Sequence, residues 1–187
     1  MPHRRWPPAR TNLSPGSPAT GGRGLIVIIR RMGFWGYVAA ARTPDPAALG
    51  VAIGAVLSDD DLGGGWRLFQ AEGKGDPGRL ARSIAERTGA PALAAFVLDS
   101  DCAILAAATG PGEARQVAVN PQLLEDYGPP EDEELLDGAE AVAALVAWAE
   151  AAGFEPDPDA VAAALDADET FVEEKLTALA EVISGAR

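Results

Sequence analysis

The chain has 187 residues, of which 48% are hydrophobic and 23% charged, values of a folded domain rather than of a wholly disordered chain. Its formal net charge of −13 disfavours nucleic acid and anionic membrane surfaces as partners. One cysteine and one histidine exclude an intramolecular disulfide, a Cys/His zinc site and, with the histidine at position 3, a histidine-based catalytic triad inside a folded core.

The first 31 residues carry six arginines (Arg4, Arg5, Arg10, Arg23, Arg30 and Arg31) and no acid. From Met32 to Arg187 nine basic residues face 28 acidic ones, a charge of −19. Pro, Gly, Ser and Arg dominate the first segment and cannot build a core. Residues 1–31 are therefore expected to be a disordered tail, or to precede the working start at Met32. Arg30-Arg31 and the following MGFWGYVAAA loosely resemble a twin-arginine export signal, but Arg42 interrupts the apolar stretch. The run Leu25 to Ile29 is shorter than the roughly 7–15 apolar residues of an export signal or the roughly 20 of a membrane span. A cytoplasmic location is expected.

Residues 32–119 are expected to form an α/β sheet core. GFWGYVAAAR alternates with period two and predicts the first strand, with Trp35 and Tyr37 on one face. In DPAALGVAIGAVL, Asp45 and Pro46 start a helix whose apolar stripe is Leu49, Ile53, Val56 and Leu57, weakened by Gly50 and Gly54. SDDDLGGG reads as a loop and WRLFQAE as the second strand. GDPGRLARSIAERTG is a second helix, capped by Asp76, started by Pro77 and stopped by Gly89. ALAAFVLD and CAILAAAT are continuous apolar runs, as in central strands covered on both faces, with a hairpin turn at Asp99-Ser100-Asp101. ARQVAVN is the fifth strand. The order predicts a mixed five-stranded sheet (β-α-β-α-β-β-β) in two or three layers, its first β-α-β unit parallel and right-handed.

Residues 120–187 are expected to form an acidic helical part packed on the same domain. PQLLEDYG is a short helix and PPEDEELLDG an acidic connector. Three helices follow: one with Val142, Leu145, Val146 and Ala149 on one face, one opened by Asp157-Pro158, and one with a Val172-Leu176-Leu179-Ile183 stripe.

Three motifs carry candidate chemistry. In GKGDPG, Gly73, Gly75 and Gly78 follow a predicted strand and open a helix, with Asp99 21 residues beyond Gly78. Over about 35 residues this resembles the Rossmann dinucleotide fingerprint, and the resemblance implies nucleotide binding at the helix start. Read from the residues themselves, the stretch is a glycine-rich turn with an Asp-Pro cap. Pro77 removes a backbone donor and Asp76 places a negative charge where pyrophosphate would sit. Asp99 and Asp101 form a D-x-D pair at a strand end, similar to the cation-binding pair of one large class of glycosyltransferases, and here a tight hairpin is expected. Asp59-Asp60-Asp61 lacks further ligands at defined spacing and is expected to be solvated. Cys102 is expected to be a buried small hydrophobe.

From Asn120 to Arg187, 18 acids face only Lys175 and Arg187. The expected function is that of a non-enzymatic cytoplasmic regulator or binding protein, similar in size and acidity to small bacterial immunity proteins. It would engage a basic protein through Glu131, Asp132, Glu133 and Glu134 on the connector and Glu173, Glu174 and Glu181 on the last helix, with Trp35 and Tyr37 as an aromatic anchor. The alternatives are a nucleotide-binding enzyme or sensor using GKGDPG, and a homo-oligomer contact through the aromatic strand face. No catalytic residue, cofactor or metal is assigned.

Overall fold

The computed structural model describes residues 33–128 and 134–185, so the expectations for residues 1–31 and for Glu131, Asp132 and Glu133 lie outside the described residues. A seven-stranded mixed sheet forms the middle layer, in the order β2-β3-β1-β4-β5-β6-β7. The strands are β1 (Gly36–Arg42), β2 (Val56–Gly63), β3 (Trp66–Ala71), β4 (Ala92–Leu98), β5 (Cys102–Ala108), β6 (Ala114–Val119) and β7 (Leu135–Leu136). The helices are α1 (Pro77–Thr88), α2 (Pro121–Leu124), α3 (Gly138–Ala152), α4 (Pro158–Asp166) and α5 (Val172–Ser184).

Strand alternation sorts the core into two faces. Val38, Ala40, Leu68, Leu93, Ala95, Leu105 and Val117 pack with Leu145, Trp148, Val161, Leu176 and Leu179 of α3, α4 and α5. The alternate residues, among them Phe69, Phe96 and Ile104, are equally buried on the opposite face, where α1 lies across β1, β4, β5 and β6. Helices on both sides explain why β4 and β5 are buried at every position and read as unbroken apolar runs. Trp66 meets Trp148 edge-on at 5.6 Å and Phe154 at 5.3 Å, fixing α3 to the β3 end of the sheet.

Three expectations are corrected. Among the described residues the sheet has seven strands rather than five. The predicted helix over Asp45 to Leu57 shrinks to a 3-10 turn, Pro46–Leu49. Asp45 does cap it, accepting from the Ala47 N–H at 2.9 Å, but Gly50 at φ 61° ends it after one turn. The chain from Val56 onward then joins an antiparallel hairpin with β3, so SDDDLGGG is mostly strand and not loop. Asp59 and Asp61 have low strand propensity, yet both face Arg67 across the pair, Asp59 at 2.8 Å and Asp61 at 3.8 Å.

The third correction is topological. β1 runs antiparallel to β3 and to β4, so the first unit is no parallel β-α-β. The parallel crossover comes later: β3 and β4 are parallel, α1 connects them, and β1 lies between. β7, the other added strand, pairs in parallel with Gln116 and Val117 of β6 and carries the chain from the connector toward α3.

Candidate functional site

The β4–β5 turn organises one end of the sheet. Asp99 and Ser100 have φ of 54° and 61°, and the Asp101 N–H closes the turn on the Leu98 carbonyl at 3.0 Å. Two successive left-handed residues match the twist of a two-stranded hairpin. Asn120, with φ 56°, is the third non-glycine residue in this conformation among the described residues, and its Nδ2 donates to the Asp101 carbonyl at 2.7 Å. All three left-handed non-glycine residues thus collect at one place.

Two distant segments are tied to this turn. The Phe34 N–H donates to Ser100 Oγ at 2.7 Å and the Gly33 N–H to Asp99 Oδ1 at 3.0 Å. At the start of α5, the Val172 N–H donates to the Ser100 carbonyl, and Ser100 Oγ donates to Glu173 Oε1 at 2.7 Å. Tyr127 OH donates to Asp101 Oδ2 at 2.7 Å, and its ring stands edge-on to Trp35, centroids 5.8 Å apart at 70°. Burial and the bond to Asp101 push the Tyr127 phenol well above the usual tyrosine range.

Lys175 lies deeper. It is 5% exposed, and its Nζ donates to Asn120 Oδ1 at 2.6 Å and to the Leu165 carbonyl at 3.0 Å. Two clefts share Lys175, Asn120, Gln122 and Asp166 as a common wall. The smaller, 320 Å³, is rimmed by Asp101, Asp166, Asp168 and Glu169. The larger, 500 Å³, is walled by the first turn of α3 and by Ala162 and Leu165 of α4. Burial lowers the Lys175 pKa, against the opposing pull of Asp166, Asp168 and Glu169.

The residues singled out from the sequence are scattered. Glu134, Glu174 and Glu181 are exposed, while Glu173 is half-buried and bound to Ser100. Trp35 precedes β1 and is 39% exposed, whereas Tyr37 is 2% exposed, packed on Phe96 at 5.3 Å. Trp66 belongs to the opposite face of the sheet from Tyr37. The sequence offered no signal for Lys175, Asn120 or Tyr127, because long-range pairing alone assembles them.

The GKGDPG loop has a structural account. A Cβ on Gly73 would lie 2.3 Å from the Tyr37 ring, and Gly75, at φ 135°, sits against the Tyr37 hydroxyl. The Asp76 carboxylate accepts from the Gly78 N–H at 2.7 Å, so the helix start already holds an anion of the chain's own. Burial and Asp76 raise the Tyr37 phenol to about 12. Cys102 is fully buried, and burial with Asp101 and Asp126 pushes its thiol up to about 12. Among the described residues no group of three or more His, Cys, Asp or Glu is placed to hold a metal ion, and no helix is long and apolar enough to cross a membrane. No family model matches the chain, and no curated protein or solved structure matches it significantly.

Proposed function

We propose that the chain is a non-enzymatic, cytoplasmic binding protein, of the immunity or regulatory kind, that engages a basic partner. The docking surface is the ledge formed by Trp35, Tyr127, Asp99 and Asp101, continuous through Asp101 with the carboxylate-rimmed cleft. The exposed Trp35 ring, held edge-on by Tyr127 whose hydroxyl is itself bound to Asp101, is the observation that carries this reading. An arginine or lysine laid over that ring gains cation–π attraction of about 0.5–2 kcal/mol and finds carboxylates within reach. The charge of −19 beyond residue 31 supplies long-range attraction for such a partner.

The test is binding of an arginine-rich peptide to the full chain, followed by tryptophan fluorescence at low and high salt. Trp35→Ala and Asp101→Asn should each weaken binding about tenfold, the equivalent of ~1.4 kcal/mol, with melting temperature nearly unchanged. Binding by both variants as tight as that of the unsubstituted chain would reduce the ledge to an ordinary acidic surface.

A further inference from the structure

Lys175 is one of two lysines in the chain, the other being the exposed Lys74. Its amine has two acceptors, Asn120 Oδ1 and the Leu165 carbonyl. A neutral amine has two N–H groups and one lone pair, so these acceptors satisfy it completely. Burial of this side chain, only 5% exposed, favours the neutral amine over the ammonium. The neutral form leaves its lone pair directed away from both partners, on a side chain that lines both clefts.

The larger cleft has the volume of a small-molecule site, within the usual range of about 300–1,000 Å³. Ala139, Ala141, Val142, Ala162 and Leu165 make part of its wall apolar, and Asp137 and Asp166 are carboxylates of the same lining. We propose that Lys175 is a nucleophilic amine in this cleft and condenses with a small neutral aldehyde or ketone to form an imine. The nitrogen lone pair attacks the carbonyl carbon, and the C–O π pair moves to oxygen, which takes up a proton as the nitrogen loses one. The resulting carbinolamine expels its hydroxyl, protonated, as water while the nitrogen lone pair forms the C=N bond, and the iminium so formed gives up its N–H proton, returning the one spent on the hydroxyl. Amine and carbonyl become imine and water, with no change of oxidation state. Asp137 and Asp166, in the lining of the same cleft, are the carboxylates available to take up and return these protons.

The carboxylates facing Lys175 also set the substrate class. Asp101, Asp166, Asp168 and Glu169 border one side and Asp137 the other, so an anionic carbonyl compound is repelled. A short alkyl aldehyde fits the apolar part of the wall.

The full chain is incubated with butanal and cyanoborohydride at neutral pH, and alkylation at Lys175 and Lys74 is followed by peptide mass mapping. Lys175 should be alkylated about tenfold faster than the exposed Lys74, an advantage that vanishes in urea. Glyoxylate in place of butanal should favour Lys74. Alkylation of Lys175 no faster than Lys74 in the folded chain overturns the nucleophile. A Lys175 preference that persists with glyoxylate overturns the neutral-substrate assignment. Neither result bears on peptide binding by the Trp35 ledge.

Discussion

Ser100 Oγ donates a 2.7 Å hydrogen bond to Glu173 Oε1 across 73 positions of chain. The bond joins the sheet hairpin to the last helix, and Ser100 Oγ also accepts from the Phe34 N–H, so one hydroxyl fastens three segments. Ser100→Gly keeps the left-handed turn and removes the hydroxyl. It should cost about 1–3 kcal/mol of stability in urea unfolding, the usual cost of stranding buried partners. Glu173→Gln retains an acceptor for Ser100 and should cost less than Glu173→Ala. Adding Ser100→Gly to Glu173→Ala should cost less than the sum of the two separate losses.

Gly73→Ala places a methyl group 2.3 Å from the Tyr37 ring. Overpacking of this kind costs about 1–3 kcal/mol. Tyr37→Leu in the same chain should recover part of the loss, measured by thermal unfolding. A neutral Gly73→Ala would show that the glycine is there for another reason, and would reopen the nucleotide reading of the loop.

The tyrosines predict a one-sided pH response. Tyr37 in the folded chain ionises near 12, above the ordinary value of 10.0. Stability from the neutral phenol is fully present below about 10 and is lost as pH rises through about 12, because the unfolded chain releases the proton first. Tyr37→Phe should flatten the alkaline fall in melting temperature. Absorbance of the folded chain should show little tyrosinate at pH values where the denatured chain is ionised.

Cys102 follows the same logic through reactivity. Its thiol is raised to about 12 and fully buried, so a disulfide reagent should reach it only at the rate of unfolding. Rapid labelling of the folded chain at mildly alkaline pH would contradict that placement.

Remote acids and contact acids should separate kinetically. Glu134, Glu174 and Glu181 are exposed. Changing all three to Gln should keep or raise the melting temperature and slow association with the arginine-rich peptide at low salt. Asp101→Asn should instead speed dissociation. Stopped-flow measurement distinguishes the two, and equal dissociation rates would remove Asp101 from the contact.

The sequence made α1, α4 and the central strands legible, though not the extent of the turn capped by Asp45. Asp76-Pro77 with Gly89 bounded α1, and Asp157 opens α4 by accepting from the Asp159 N–H at 3.0 Å. Those signals are local, and local hydrogen bonds satisfy them wherever the segment packs. The β2 strand was not legible, because Asp59, Asp60 and Asp61 suit a strand only at an edge with Arg67 opposite. Nor was β7, whose two residues gain strand character from β6 alone. The candidate site was hidden for the same reason. Asp101 stood out as a turn residue, but Lys175 reaches Asn120 across 55 positions of chain, and no spacing rule encodes that distance.

Among the described residues the sheet has two rims, and β2 forms the longer one. Its pairing with β3 slips twice, between Val56 and Ser58 and between Asp61 and Gly63, and Asp59 to Asp61 lie along it. A second copy approaching rim to rim would meet a kinked strand and set like charges against each other. The same three aspartates that disguise β2 as a loop therefore oppose its growth into a fibril, and their replacement by Asn and Thr would offer other chains a template to extend.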